Sequence, residues 1–282
     1  MAFPYLSDLF RAAFGISLPL PVPTFGLLVG AGFFAGVWLA TREARRRLPS
    51  QAAELMTNAC VIGLFAGIVG ARLFHLLEYP REFLANPAEM IFSRSGFTIY
   101  GGLIVGMLAG LAYCRSKRAP LAPMMDAAAP GLMLAYAIGR IGCQITGDGD
   151  WGIEADLAAK PGWLPAWLWA QTYDGNIAGV QIQSPGVYPT PIYETLMSLA
   201  AFGILWAVRK REHGPGWLFG VYLVLAGIER LLIEFIRVNT TYTIFGMQIT
   251  QAQLISVACV VAGLIVMLWR AGTRPLSEVE VR

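Results

Sequence analysis

Apolar residues are concentrated in seven stretches that alternate with shorter polar segments along the chain. Each stretch is close to the roughly 20 residues that are needed to cross the hydrocarbon of a bilayer. The predicted spans cover about residues 24–41, 59–79, 99–114, 124–139, 192–208, 216–236 and 251–269. This pattern predicts an all-α membrane protein with about seven transmembrane helices, formed by a single polytopic membrane domain over residues 1–282.

Two segments outside the predicted spans carry aromatic residues suited to a membrane surface. Residues 1–23 contain several prolines together with Phe3, Tyr5 and Phe10, and we expect them to form an interfacial N-terminal arm. Residues 151–189 are rich in tryptophan and tyrosine, which favour the headgroup layer of a bilayer. We expect this second segment to form a small extracytoplasmic head.

Basic residues are clustered where alternate spans end. The clusters are Arg42–Arg47, Arg115–Arg118, Arg209–Arg211 and Arg270–Arg274. Counting the spans places all four clusters on one side of the membrane, which the positive-inside rule identifies as cytoplasmic. We therefore expect the N-terminus to lie outside and the C-terminus to lie in the cytoplasm.

The composition supports a membrane protein and narrows the functional classes. Hydrophobic residues make up 56% of the chain and charged residues only 14%, whereas soluble domains carry about 25% charged residues. The four cysteines have no paired spacing, so we predict neither a disulfide framework nor a metal site. We also expect no cofactor and no nucleic-acid partner.

Five arginines lie at or beneath the predicted outer face, where the positive-inside rule does not expect them. They are Arg72, Arg94, Arg140, Arg230 and Arg237. An arginine in hydrocarbon costs at least about 2.5 kcal/mol, so such residues usually face the protein interior and have a function. The nearby Glu229 and Glu234 cannot neutralise five arginines. Because guanidinium groups match phosphate geometry, we interpret these arginines as a lipid-phosphate site; the alternative is a structural ion-pair network.

A polar stretch rich in glycine, residues 139–152, follows the apolar run at about 127–138. Glycine permits sharp turns and a close approach of a ligand to the backbone. We therefore expect the fourth span to end near Gly139 and the following residues to form a loop close to the lipid site.

Several segments, taken in chain order, resemble motifs of the prolipoprotein diacylglyceryl transferases. They are Gly70–Arg72, Tyr100–Leu103, Gly139–Gly142 with Trp151 and Gly152, Tyr188–Glu194, and Arg230–Arg237. The resemblance covers about residues 63–237 and implies the seven-span fold of that family. It also implies transfer of the diacylglyceryl group of phosphatidylglycerol to the lipobox cysteine of a precursor protein, in the bacterial cytoplasmic (inner) membrane. A thioether would form and glycerol phosphate would leave.

The same resemblance implies roles for individual residues. Those implied in catalysis are Arg140, Arg230, Tyr100, Asp148 and Glu194. Those implied in phospholipid binding are Arg72, Gly101, Gly102, Arg140, Gly142, Tyr193, Arg230, Glu234 and Arg237. Arg140 and Arg230 would hold the phosphate and stabilise charge that develops on the leaving group. Glu234 and Arg237 would orient them.

The chain departs from the family pattern at several positions. The histidine that precedes Gly-Gly-Leu in the family is Tyr100 here, and the histidine that opens the fifth-span motif is Tyr188. Two asparagines of the glycine-rich signature are Cys143 and Thr146. The acid of that signature is Asp148 where the family has glutamate, and one extra residue precedes the tryptophan.

These departures leave two questions open. The group that accepts the thiol proton could be His75, Asp148 or Asp150, because tyrosine is a weak base at neutral pH. The alternative for Asp148 and Asp150 is that they only pair with Arg140 or bind solvent. Two alternatives to prolipoprotein modification also stand: a divergent family member that gives its phospholipid donor another acceptor, and a lipid-binding membrane protein without catalysis. A transporter is disfavoured because the sequence has no evident inverted repeat.

Overall fold

The fold is described from a computed structural model, which covers residues 1–16, 19, 22–93, 96, 98–244 and 247–271. Two residues of the sequence argument lie outside these ranges. They are Arg94, one of the five arginines expected at the outer face, and Arg274 of the last basic cluster.

The secondary structure of the described residues is mainly helical. The helices are α1 (Leu6–Phe14), α2 (Thr24–Arg47), α3 (Ser50–Glu78), α4 (Pro80–Ala85), α5 (Pro87–Phe92), α6 (Ile99–Ser116), α7 (Leu121–Thr146), α8 (Thr190–Val208), α9 (Trp217–Glu234) and α10 (Gln251–Ala271). An antiparallel hairpin of β1 (Thr241–Ile244) and β2 (Met247–Thr250) lies between α9 and α10. The hydropathy pattern did not predict this hairpin.

Five of the described helices are long and apolar enough to cross a membrane: α2, α3, α7, α8 and α10. The mainly helical structure and these five helices agree with the expected class, an all-α membrane protein. Two further expected spans correspond to α6 and α9, which are 18 residues long. Since α9 contains Glu229, Arg230 and Glu234, its polar C-terminal end departs from a uniformly apolar span. The total of seven spans stays a prediction.

The chain forms two compact units, and the divisions fall within α2 and α7. The first unit contains Met1–Leu39 and Ala128–Arg282, and the second contains Ala40–Ala127. In the first unit, α7, α8 and α9 share a buried apolar cluster that includes Met133, Leu205 and Leu218. This cluster fixes the three helices that carry Arg140, Glu194 and Arg230.

The second unit depends on close packing of α3 against α6. A Cβ atom added at Gly106 would lie 2.7 Å from the carbonyl oxygen of Gly63, and one at Gly102 would lie 3.2 Å from that of Gly67. Small residues at such crossings let helix backbones approach closely, which favours helix association in membranes. Gly102 and its neighbours therefore have a packing role in this unit.

Helix α7 extends further than the sequence indicated. The fourth span was expected to end near Gly139, but the helix continues to Thr146 and ends before Gly147, whose φ of +60° is left-handed. Gly142 lies inside the helix, where an added Cβ would be 3.3 Å from the Phe25 ring. The expectation of a loop from Gly139 onwards was wrong, because Gly142 serves packing against α2 and the first backbone reversal comes at Gly147.

The segment from Trp151 to Pro189 is mostly irregular, with one short 3₁₀ turn at Ala166–Leu168. Its ends are joined by backbone hydrogen bonds, including Gly152 N–H to the Tyr188 carbonyl at 2.9 Å. The N-terminus is joined to this segment by a 2.7 Å bond from Ala2 N–H to the Asp174 carbonyl. The predicted roles as head and interfacial arm stay predictions.

Candidate active site

Three arginines of the first unit converge on one carboxylate, Glu194 of α8. The Glu194 side chain is fully buried, and its Oε1 lies 3.3 Å from Arg140 Nη2. The same oxygen is 3.7 Å from Arg237 Nη1 and 3.9 Å from Arg230 Nη1. Tyr136 Oη donates a hydrogen bond of 3.0 Å to this oxygen. Because α7, α8 and α9 each contribute to the group, the helix packing sets the positions of the charges.

Asp150 joins two of these arginines from the loop that follows α7. Its two oxygens accept hydrogen bonds from Arg140 and Arg237. Burial acts to raise the pKa of this carboxyl, but the adjacent Arg140 and Arg237 guanidinium groups lower it by more, so the pKa lies below its ordinary value. Asp150 is therefore ionised at neutral pH.

The backbone around Asp150 explains why it reaches Arg237. Thr190 Oγ1 donates a 2.6 Å hydrogen bond to the Asp150 carbonyl oxygen. Two residues later, Gly152 pairs with Arg237 in an isolated β-bridge, and an added Cβ at Gly152 would lie 2.5 Å from the Ile236 carbonyl oxygen. Only glycine permits this close approach, which brings the loop against the end of α9.

The third carboxylate of the group is Glu234, one turn after Arg230 on α9. Arg230 Nη2 lies 2.8 Å from Glu234 Oε2, and the Asn239 side-chain amide donates a 2.8 Å hydrogen bond to Glu234 Oε1. The group thus pairs the three arginines with Asp150, Glu194 and Glu234. We refer to these six residues as the arginine–carboxylate cluster.

The cluster corrects the charge argument made from the sequence. That argument set two glutamates against five arginines, but in the first unit the cluster's three carboxylates equal its three arginines in number. The missing charges come from Asp150 and Glu194, which lie far from Arg230 in the chain. Two N–H donor groups of the cluster, at Arg230 Nη1 and Arg237 Nη1, are buried without a hydrogen-bond partner among the described residues.

Cys143 lies beside the cluster, one turn after Arg140 on α7. Its Sγ is 3.5 Å from Arg140 Nη1 and 3.8 Å from Asp150 Oδ2. The side chains of Cys143, Asp148 and Asp150 bring three potential metal ligands within 4.8 Å of one another. Both Asp150 oxygens already accept hydrogen bonds from guanidinium groups. The Asp150 carboxylate therefore suits its arginine partners better than a metal ion.

A cavity of about 170 Å³ adjoins the cluster between α7 and α9. Its lining includes the side chains of Tyr136 and Arg230, so it opens beside the cluster's donors. The site therefore combines converging guanidinium groups, buried carboxylates that orient them, and space for part of a ligand.

Comparison with known proteins identifies the family. A sequence model of the family described as prolipoprotein diacylglyceryl transferase matches residues 11–269. A phosphatidylglycerol–prolipoprotein diacylglyceryl transferase of Corynebacterium efficiens is 32% identical over 273 residues, covering 93% of this chain and 82% of that protein. The protein of the same name from Bacillus cytotoxicus is 30% identical over 259 residues, covering 90% of each chain. The chain belongs to the prolipoprotein diacylglyceryl transferase family.

Membership confirms the resemblance found in the sequence, and the structure shows where this family member places its motif residues. Arg140, Glu194, Arg230, Glu234 and Arg237 come together in the cluster. All five were named from the sequence. Asp150, the carboxylate that bridges Arg140 and Arg237, was weighed there as a candidate base or as a partner of Arg140.

The two acidic residues of the glycine-rich segment have different contacts. Asp150, and not Asp148, contacts the arginines. Asp148 Oδ1 instead accepts a 3.2 Å hydrogen bond from the Asp150 backbone N–H, which shapes the loop. The resemblance had assigned the acid of the prolipoprotein diacylglyceryl transferase motif to Asp148, and Asp150 lies in the stretch before Trp151 where this chain has one extra residue.

Two other predicted binding residues of the first unit have local structural contacts. Tyr193 Oη donates a 2.6 Å hydrogen bond to the Leu168 carbonyl and so fixes the segment before α8. Gly142 packs against Phe25 of α2, as described above. Tyr136 was not predicted from the sequence, although it accepts a 3.0 Å hydrogen bond from Arg140 Nε. It lies four residues before Arg140 on α7, and side chains at that spacing share a helix face, which is the signal that could have found it.

The remaining predicted residues belong to the second unit. Arg72 of α3 donates hydrogen bonds to the backbone carbonyls of Ile91, Ser93 and Gly96, so these three residues are held against α3. Tyr100 is 52% exposed at the start of α6. Gly101 and Gly102 face α3, where an added Cβ at Gly101 would be 2.5 Å from the Gly70 carbonyl oxygen.

Proposed function

We propose that this protein transfers the diacylglyceryl group of phosphatidylglycerol to the lipobox cysteine of a prolipoprotein. Family membership supports the reaction class. The observation that carries the proposal is the convergence of Arg140, Arg230 and Arg237 beside a cavity. Arginines grouped in this way match the phosphodiester that must be held while one of its ester bonds is broken.

In the proposed reaction, the sulfur of the lipobox cysteine attacks the glyceryl carbon that bears the phosphate. A carbon–sulfur bond forms, the carbon–oxygen bond to phosphate breaks, and glycerol phosphate leaves with the bonding electrons. The thiol proton must pass to a base or to the leaving phosphate. Negative charge grows on the phosphate oxygens during this step, and Arg140 and Arg230 are positioned to stabilise it.

The carboxylates of the cluster act as positioning residues in this proposal. Glu194 and Asp150 hold the guanidinium planes, and Glu234 orients Arg230. Asp150 is a poor candidate for the general base, because its lowered pKa makes it a weak proton acceptor and both of its oxygens face arginines.

We further propose seven spans, with α6 and α9 crossing the membrane beside the five longer apolar helices. This arrangement places the N-terminus and the residue 151–189 head outside and the C-terminus in the cytoplasm, in keeping with the positive-inside rule. The enzyme would then act in the bacterial inner membrane, where the phospholipid donor reaches the cluster from the bilayer and the lipobox precursor approaches from outside.

A reconstituted assay tests the proposed function. The purified protein is mixed with vesicles that contain labelled phosphatidylglycerol and a synthetic lipobox peptide. We expect a diacylglyceryl thioether on the peptide cysteine and an equal amount of glycerol phosphate, both measured by mass spectrometry. A peptide whose cysteine is replaced by serine is the matched control. Absence of thioether with a protein that is folded and inserted would contradict the proposal.

A second candidate function keeps the phospholipid donor but uses another acceptor. Three substitutions favour it: Tyr100 replaces the motif histidine, and Cys143 and Thr146 replace asparagines. Release of glycerol phosphate in cell membranes without modification of the lipobox peptide would support this function. Tyr100→Phe then tests the substituted position, since a rate that is unchanged would show that the hydroxyl is not used.

A further inference from the structure

Glu229 is a buried carboxylate that the proposed reaction does not use. It precedes Arg230 on α9 and is only 5% exposed. Ser198 of α8 donates a hydrogen bond of 2.5 Å to Glu229 Oε1. The second oxygen, Oε2, is buried without a hydrogen-bond partner among the described residues. Buried polar atoms are nearly always hydrogen-bonded, so this oxygen is available to a hydrogen-bond donor that enters beside it.

Glu229 also lines the cavity next to the arginine–carboxylate cluster. The full lining is Met133, Tyr136, Tyr222, Ala226, Glu229 and Arg230. The cavity volume of about 170 Å³ corresponds to about six water molecules at the roughly 30 Å³ that each occupies in the liquid. That space is sufficient for a small polyol, with apolar wall atoms for its carbons and polar groups for its hydroxyls.

We infer that this cavity recognises the glycerol headgroup of the phospholipid donor, with Glu229 as the specificity-determining residue that binds its hydroxyls. The inference rests on the proposed function, because the phosphate must be held by the adjacent arginines. A glycerol headgroup carries hydroxyl donors, and one of them can satisfy the free oxygen of Glu229.

Competition between two phospholipid donors tests the inference with the full-length protein. Vesicles contain equal amounts of phosphatidylglycerol and phosphatidylpropanol, whose headgroup has the same carbon skeleton without the free hydroxyls. Both donors give the same modified peptide but release different products, glycerol phosphate or propyl phosphate. Because a hydrogen bond to a charged group contributes roughly tenfold or more in affinity, we expect the wild-type protein to release at least about ten times more glycerol phosphate.

Variants assign the discrimination to Glu229. We expect Glu229→Leu to reduce the ratio of the two released phosphates to about one, while Glu229→Gln keeps part of it because an amide still accepts hydrogen bonds. Glu154→Gln, which removes an exposed carboxylate in the segment 151–189, is the control and should keep the wild-type ratio. Native mass spectrometry of the two lipids bound to each protein gives the same comparison without turnover.

The outcomes separate this inference from the proposed function. If neither phosphate is released, the proposed function fails, and the binding ratio alone decides the inference. If the wild-type protein uses and binds both lipids equally, or if Glu229→Gln and Glu229→Leu keep the full discrimination, the inference is overturned. Preferential binding of phosphatidylethanolamine would also overturn it, since the cavity would then recognise a cation.

Discussion

The site geometry predicts different effects for the loss of two carboxylates, Asp148 and Asp150, that lie two residues apart. Asp150 accepts hydrogen bonds from both Arg140 and Arg237, whereas Asp148 accepts one from a backbone N–H. Asp150→Asn removes the negative charge and replaces one acceptor oxygen by an amide that cannot accept from arginine. Asp148→Asn removes the same charge from the same loop and leaves an oxygen that can still bond the backbone.

The expected magnitude follows from the contacts that are lost. A hydrogen bond to a charged group contributes about 1.5–3 kcal/mol, and the Arg140 and Arg237 side chains are only 13% and 12% exposed, so solvent screens them little. We expect Asp150→Asn to raise the barrier by about 2–3 kcal/mol, which is about 30–150-fold in kcat/KM. Asp148→Asn should stay within about threefold of the wild-type value.

The assay is transfer from labelled phosphatidylglycerol to a lipobox peptide at several donor concentrations. Thermal unfolding in detergent is measured alongside, so that loss of folded protein is not mistaken for loss of catalysis. If Asp148→Asn is the more damaging change, or if both variants are equally active, then Asp150 does not hold the arginines in the working enzyme. The argument from the cluster geometry would be refuted.

Three further predictions follow from the structure. Arg140→Ala and Arg230→Ala should each lower turnover by about 10²–10³-fold while the protein still inserts; normal peptide modification in either variant would remove the phosphate-binding role. Because the pKa of Asp150 is lowered, its ion pairs persist above the ordinary carboxyl pKa and are lost only as the pH falls through the lowered value. The pH–rate profile should therefore show no Asp150 step between about pH 5 and 8, and Asp150→Asn should leave the shape of that profile unchanged. Gly106→Val should abolish the folded protein in a detergent melting assay, since a Cβ there would lie 2.7 Å from the Gly63 carbonyl oxygen, whereas Gly139→Ala has nothing within 4 Å and should melt like the wild-type protein.

The class of protein and most of the cluster could be predicted from local patterns. Hydrophobic runs near 20 residues identify membrane helices regardless of their partners. The arginines could be identified as functional candidates because placing a charged side chain in a membrane span costs free energy. Both signals depend on one segment at a time, which explains why they could be found in a single sequence.

The parts that could not be predicted depend on contacts between distant segments. The charge balance of the cluster required knowing that Asp150 lies beside Arg237, 87 positions later in the chain. The role of Gly142 in packing against α2, and the continuation of α7 through it, required the position of Phe25. The distances between these pairs of residues cannot be read from their spacing in the sequence or from their residue types.

The central claim is that the converging arginines hold the phosphate of a phospholipid, and direct lipid binding tests it without any turnover. Native mass spectrometry measures the affinity of phosphatidylglycerol for the wild-type protein, for Arg140→Gln and for Arg11→Gln, in which an exposed arginine of α1 is changed. We predict that Arg140→Gln weakens binding by at least about tenfold, the loss of one charge-assisted contact, and that Arg11→Gln binds like the wild-type protein. Equal affinity of all three proteins would contradict the claim.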